Sequence, residues 1–240
     1  MSQDDGLLAQ HLIHQSQSHA DRHFWHRLRW RWISNRIKGL LNSGSVLDLG
    51  AGAGVAGLFM KSEKNYKYYF AEPITVLRKK LSDDYGSDRD LTDAKKYQGI
   101  QVVIMLDVLE HIEDHQGFLS SLREKMDMGA NLLILVPARQ ELWSAWDQKL
   151  GHFRRYTTSM LEDVGRQSGF QVIDARYLFP QFFLLGLIRK KFFAPKEGNA
   201  DLPILPPLLN QLVFCLGAMV SFFWRRPPLG SSAFLHLKKS

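Results

Sequence analysis

A glycine-rich stretch, VLDLGAGAG at residues 46–54, constrains the fold of this chain more than any other feature. Its first four residues, 46–49, form an apolar run with one acid, which predicts a buried parallel strand. Three glycines follow at every second position, namely Gly50, Gly52 and Gly54. Glycine lets the backbone turn tightly and approach a ligand closely, and a helix from residue 55 would offer free N–H groups. The stretch therefore predicts a strand–loop–helix unit that holds a small polar cofactor at the carboxyl edge of a sheet.

The spacing of these glycines does not fit a dinucleotide fingerprint. That fingerprint, G-x-G-x-x-G, requires its third glycine five residues after the first, and the chain has Val55 at this position. The chain instead carries an acid on the strand, Asp48, and then the three alternating glycines. This pattern resembles motif I of class I S-adenosylmethionine-dependent methyltransferases.

Two further segments place acids at the ends of predicted strands. The strand predicted at 66–71 is followed by Glu72, at a distance from the glycines that lets an acid accept hydrogen bonds from both hydroxyls of a ribose. A surface glutamate is the alternative interpretation. The apolar run at 102–106 predicts an interior strand that Asp107 closes, and another such strand is predicted at 131–136. Strands that alternate with helices at this spacing predict a parallel sheet.

In this order and spacing, VLDLGAGAG, Glu72 and LDVLEHIED resemble a class I methyltransferase of the subgroup that contains ubiquinone-biosynthesis O-methyltransferases. A block at 135–161 with a His-x-Arg-Arg-Tyr-Thr signature resembles a bacterial subgroup of the same class. The resemblance implies a doubly wound, Rossmann-like α/β fold with a mostly parallel sheet and an antiparallel last strand. It also implies that S-adenosylmethionine is the cofactor, held by Asp48, Gly50, Gly52, Gly54, Glu72, Asp107 and Val108.

The composition is that of an ordinary globular protein, with 45% hydrophobic and 23% charged residues among 240. A single cysteine, Cys215, excludes a disulfide framework, and the polar N-terminus does not have the pattern of a signal peptide. We therefore expect a cytoplasmic protein. The net charge of +7 is concentrated at 22–38 and after residue 189, where basic residues alternate with large apolar ones. This favours the inner face of a membrane over nucleic acid as a partner, with a solvated surface as the alternative.

The predicted domain organisation is a mobile lead-in at 1–19 and a single methyltransferase domain at 20–240. Within the domain, an aromatic helix at 20–43 either packs on the sheet or acts as a lid. An insertion at 179–232 precedes the last strand and contains two apolar segments. Its apolar stretch at 212–224 is too short to span a bilayer. We expect a helical cap, with a dimer contact or an interfacial membrane helix as alternatives.

The remaining polar motifs suggest how an acceptor is bound and activated. His152 is the first candidate for a general base and His111 the second, since a histidine titrates near neutral pH; a structural role for His111 is the alternative. Arg154, Arg155 and Tyr156 are expected to bind a carboxylate or phosphate of the acceptor, unless the arginines instead brace Asp147 or a helix end. By spacing, Asp107, Glu110 and His111 could ligate a metal, but no further ligand is evident, so no metal is expected.

The sequence thus predicts methyl transfer from S-adenosylmethionine to a small-molecule acceptor, at an oxygen of a hydrophobic or lipid-linked compound. A carboxyl or N-methyltransferase of a soluble metabolite is one alternative. A cofactor-binding partner protein that has lost catalysis is the other. The oligomeric state cannot be read from the sequence.

Overall fold

The computed structural model describes residues 20–192 and 205–240, so the lead-in predicted at 1–19 lies outside the described residues. The strands are β1 (Gly44–Leu49), β2 (Tyr66–Ala71), β3 (Val102–Leu106), β4 (Asn131–Pro137), β5 (Gln171–Leu178) and β6 (Ser232–Lys238). The helices are α1 (Phe24–Leu40), α2 (Val55–Met60), α3 (Thr75–Tyr85), α4 (His115–Lys125), α5 (Ala145–Lys149), α6 (Thr158–Gln167), α7 (Pro180–Phe192) and α8 (Pro207–Phe223).

The strands form one six-stranded sheet in the order β2-β1-β3-β4-β6-β5. β1 to β4 are parallel, and β6 lies antiparallel between β4 and β5. This confirms the predicted Rossmann-like fold with an antiparallel last strand. The segment 82–99, between β2 and β3 in the chain, adds only one isolated bridge to the sheet, from Phe70 to Asp90. The polar segment 82–99 explains this, because it has no apolar run to bury in a sheet.

Both faces of the sheet are covered, which accounts for the continuous apolar runs in the inner strands. On one face, Leu47 and Val103 pack with side chains of α4 and α6 such as Leu119 and Leu161. On the other face, side chains of the same strands pack with α1. Alternate residues of each strand thus pack into two separate apolar layers. The carboxyl ends of the strands form the edge of the sheet where the cofactor site is predicted.

The described part of the insertion before β6 forms two helices, α7 and α8, and α8 packs against α1. Gly217 of α8 lies so close to Leu28 that an added Cβ would come within 2.6 Å of its side chain. Asn210 ties the two helices together, since its side chain accepts from the Phe24 N–H and donates to the Arg22 carbonyl, each at 2.9 Å. The insertion therefore rests on the aromatic helix. No helix within the described ranges is long and apolar enough to cross a membrane.

Candidate active site

The glycine loop leaves β1 in the left-handed backbone conformation that favours glycine. Gly50, Gly52 and Gly54 have φ values of +74°, +56° and +86°. A Cβ on Gly50 would come within 2.6 Å of the Val108 side chain, which follows β3. The loop after β1 and the loop after β3 are therefore in contact, which is possible only because Gly50 lacks a side chain.

Glu72 joins the glycine loop to the end of β2. Its carboxylate accepts from the Gly52 N–H at 2.8 Å and from the Ile74 N–H at 2.9 Å. Burial raises the pKa of Glu72, and these two hydrogen bonds oppose the rise. The predicted acid thus lies beside the predicted glycines at the sheet edge. Its contact with a ribose stays a prediction.

Asp48 lies deeper than the loop itself. Its carboxylate is buried inside β1 and accepts from the Tyr68 hydroxyl of β2 at 2.9 Å. Burial raises the pKa of Asp48 to about 7. We infer that Asp48 stabilises the glycine loop from within the sheet. Its predicted effect on a cofactor would therefore be indirect, through the position of the loop backbone.

Arg29 is a site residue that the sequence analysis did not identify. It projects from α1 and pairs through Nη1 with Asp107, which follows β3 with a φ of +58°. The residue is only 7% exposed, and its Nε and Nη2 groups are buried without a partner among the described residues. In a guanidinium these two N–H groups lie side by side and match the two oxygens of a carboxylate. In the sequence, only its position four residues after Trp25, on the same face of the predicted helix, indicated that Arg29 could face the protein interior.

A second cluster of ionisable side chains follows Asp107. Glu110 is fully buried, and both its carboxylate oxygens lack a hydrogen-bond partner of good geometry within the described chain. Burial, and after it the charge of Asp107, holds the pKa of Glu110 well above its usual range. The rings of His111 and His152 meet edge to face at 4.7 Å beside it, and burial lowers the pKa of His111 to about 4.

These three side chains could also hold a metal ion, since each offers a ligand atom within 4.8 Å of the others. By their spacing in the sequence, Glu110 and His111 were candidate ligands together with Asp107, and no further ligand was evident to complete that set. His152 comes from a segment some forty residues further along the chain, so its arrival depends on the fold.

Asp147 holds His152 in place. His152 Nδ1 donates to Asp147 Oδ1 at 2.9 Å, and Arg155 donates to both carboxylate oxygens through Nε and Nη2, at 2.8 and 3.0 Å. Burial works in the opposite direction, yet these hydrogen bonds lower the pKa of Asp147 to about 2. The carboxylate is therefore ionised, and the Nε2 atom of His152 is the one left to accept a proton.

The other residues of the signature make internal contacts. Arg154 donates to the carbonyls of Ile112 and Glu113 at 2.8 and 2.9 Å. Tyr156 is fully buried, and its hydroxyl donates to the Leu109 carbonyl at 3.1 Å. Arg155 thus makes the bracing contact with Asp147 that was the alternative, while Arg154 braces the segment before α4. A role of Arg154, Arg155 and Tyr156 in binding an acceptor stays a prediction.

The chain is similar to known methyltransferases in sequence pattern and in fold. A family model described as a methyltransferase domain matches residues 22–175. No curated protein matches the chain. Among solved structures, coclaurine N-methyltransferase bound to N-methylheliamine and S-adenosylhomocysteine is similar with a TM-score of 0.58 and 15% identity, over 89% of this chain and 70% of that one.

Two further solved structures show the same fold. A SAM-dependent methyltransferase from Archaeoglobus fulgidus has a TM-score of 0.55 and 13% identity, over 89% of this chain and 94% of that one. Phosphoethanolamine N-methyltransferase 2 from Haemonchus contortus, in complex with S-adenosyl-L-methionine, has a TM-score of 0.56 and 14% identity over 88% of this chain. The present chain covers 52% of that protein, about half its length. Because the family model spans well over half of the 240 residues, the chain belongs to the methyltransferase-domain family.

Proposed function

We propose that the protein transfers a methyl group from S-adenosylmethionine to an oxygen of a hydrophobic or lipid-linked acceptor. The observation that carries this proposal is the contact of Glu72 with the backbone of Gly52 at the carboxyl edge of the sheet. A carboxylate and a glycine backbone placed together suit the ribose and amino-acid parts of such a cofactor.

The protein would hold the cofactor at both ends. Glu72 would accept from the ribose hydroxyls, and the N–H groups at the start of α2 would face its polar parts. The free Nε and Nη2 edge of Arg29 fits the carboxylate of the amino-acid end. Arg29 is paired with Asp107, and the next residue, Val108, lies against Gly50. The free side of the Arg29 guanidinium therefore belongs to the same group of loops as the glycines.

When bound, S-adenosylmethionine supplies a methyl group that its sulfonium has already activated. The protein then has to align the acceptor and receive its proton. We assign the proton to His152 Nε2, because Asp147 fixes the other ring nitrogen as the donor. His111, whose lowered pKa keeps it neutral, is the second candidate.

An apolar surface on α8 supports the lipid-linked acceptor and contact with the inner face of a membrane. Leu208, Leu212, Leu216 and Met219 are exposed along the helix. At its end, Phe222 is 69% exposed and Phe223 78% exposed, followed by exposed Arg225 and Arg226. Apolar area inserted into headgroups contributes roughly 25 cal/mol per Å² and each basic residue about 1 kcal/mol. Phe183 of α7, in contrast, is buried, and the predicted cations at 189–191 lie outside the described side chains.

Calorimetry and a labelling assay test the proposal. We expect S-adenosylhomocysteine to bind and NAD not to bind, and the reverse would overturn the cofactor assignment. Protein supplied with methyl-labelled S-adenosylmethionine and a total lipid extract should transfer label into the organic phase in an alkali-stable form. Alkali-labile label would indicate a carboxyl methyltransferase, and label in water-soluble amines an N-methyltransferase. Binding without any transfer would favour the partner protein without catalysis.

A further inference from the structure

Three arginines from three separate segments converge on one buried carboxylate, that of Asp174 in β5. Arg36 of α1 donates to it at 2.7 Å, and Arg226, which follows α8, donates at 3.2 Å. Arg176, two residues further along β5, forms the third ion pair. Asp174 itself is only 8% exposed, so the arginines enclose it. We call these four residues the Asp174 cluster.

The charges in the Asp174 cluster do not balance. Three positive charges against one negative charge leave +2, and these arginines have no second acidic partner in the part of the chain that the structure describes. Burial lowers the pKa of Arg36, and repulsion from Arg176 and from Arg226 lowers it further. Such a surplus of guanidinium charge in a half-buried place is stabilised by an added anion.

The cluster lies directly beside the apolar surface of α8. The side chain of Arg226 is 70% exposed. This residue comes shortly after Phe222, Phe223 and Trp224, which are also exposed. Arg176 Nη1 donates to the Arg225 carbonyl at 3.1 Å, which fixes this segment against β5. Exposed aromatic side chains next to guanidinium groups suit the boundary where a membrane presents its phosphates.

We propose that the Asp174 cluster binds a phosphate group, and that on a membrane this is the headgroup phosphate of an anionic phospholipid. The inference rests on the membrane contact proposed above, and it adds a defined recognition site to that contact. Arg226 and Arg36 supply the N–H donors that a phosphate oxygen accepts, while Asp174 holds their guanidinium groups in place. Neutralising part of the +2 charge favours an anionic lipid over a zwitterionic one.

Vesicle flotation with the full chain tests the proposal. The vesicles contain phosphatidylcholine alone or mixed with phosphatidylglycerol, and the variants are Arg226→Gln and, as a matched control, Arg166→Gln. Arg166 is an exposed arginine of α6 that pairs with Glu162 within its own helix. We expect Arg226→Gln to weaken binding to the mixed vesicles about fivefold, with Arg166→Gln close to the natural protein. Equal losses in both variants would overturn the site.

A second measurement separates this inference from the membrane proposal. Inorganic phosphate should raise the melting temperature of the natural protein and of Arg166→Gln more than that of Arg226→Gln. If no protein floats with any vesicle but phosphate still distinguishes the variants, the membrane contact is wrong and the site takes a soluble phosphate. If phosphate acts equally on all three proteins and flotation does not distinguish them either, the inference is wrong. Arg36→Lys keeps the charge but removes the planar donor group, and it should weaken phosphate binding while circular dichroism shows an intact fold.

Discussion

Arg29 of α1 is ion-paired with Asp107, 78 residues further along the chain at the end of β3. This contact joins the aromatic helix to the ligand edge of the sheet. The helix also carries the insertion, through Asn210 and Gly217 of α8. The apolar surface of α8 and the candidate active site are therefore built on the same helix.

The buried, unpartnered edge of Arg29 leads to the first prediction. Replacing Arg29 by Met should weaken binding of S-adenosylhomocysteine on the order of 10- to 100-fold, because a charged donor pair to the carboxylate is lost. Binding of 5′-methylthioadenosine, which lacks the amino-acid end, should hardly change. Calorimetry measures both affinities. Arg31→Met, at an exposed position of the same helix, is the control. An equal loss for both ligands would show that Arg29 acts on the fold and does not bind a carboxylate.

Glu72 carries the second prediction. Glu72→Ala should lower the affinity for S-adenosylhomocysteine by about 1–3 kcal/mol, because ribose hydroxyls are left without an acceptor. Glu72→Gln should have a smaller effect, since its side-chain oxygen can still accept from Gly52. Calorimetry gives the affinities, with the exposed Glu124→Gln as control. Unchanged affinity in Glu72→Ala would place the ribose-binding acid elsewhere.

Much of the fold could be predicted from the sequence because its inner strands are buried on both faces. The apolar runs at 46–49, 102–106 and 131–136 carry that signal without any knowledge of their neighbours. The glycines are equally readable, since a close approach requires the absence of a side chain. The segment 82–99 adds only an isolated bridge to the sheet for the complementary reason. A polar segment in an expected position does not form a strand without apolar side chains to bury.

The site was less predictable wherever a charged residue is buried. Apart from its helical spacing from Trp25, nothing local distinguishes Arg29 from the exposed Arg31, because the difference arises from how α1 packs on the sheet. The same holds for Asp147, which is fully buried by contacts with His152 and Arg155. Glu110 was noticed in its motif, but the burial of its carboxylate without a hydrogen-bond partner of good geometry among the described residues depends on segments distant in sequence.

Gly50 carries the third prediction, on stability. Gly50→Ala should destabilise the protein more than Gly129→Ala by about 1–3 kcal/mol, as measured by urea unfolding. Both glycines have a positive φ, +74° and +81°, so both substitutions strain the backbone in a similar way. They differ in space, because a Cβ at Gly50 would meet Val108 at 2.6 Å while the surroundings of Gly129 are open to 4 Å. Equal destabilisation would contradict the close contact of the two loops.

The last prediction concerns pH and Asp48. Burial raises the pKa of this carboxyl from 3.8 to about 7, so the folded protein keeps a proton that the unfolded chain has already lost. Its contribution to the free energy of unfolding is therefore complete below about pH 4 and is lost as the pH rises to about 7. Asp48→Asn, which is neutral throughout, should flatten this part of the curve while keeping an acceptor for the Tyr68 hydroxyl.

Urea unfolding of the ligand-free protein between pH 4 and pH 8 measures this effect. Asp83→Asn, at an exposed position of α3, should keep the slope of the natural protein. Other carboxylates, such as Asp147 with its pKa of about 2, contribute in the opposite direction but at more acidic pH, since their stabilisation is lost as the pH falls through that range. A slope between pH 4 and pH 7 that is the same in Asp48→Asn and in the natural protein would mean that Asp48 is ionised in the folded state.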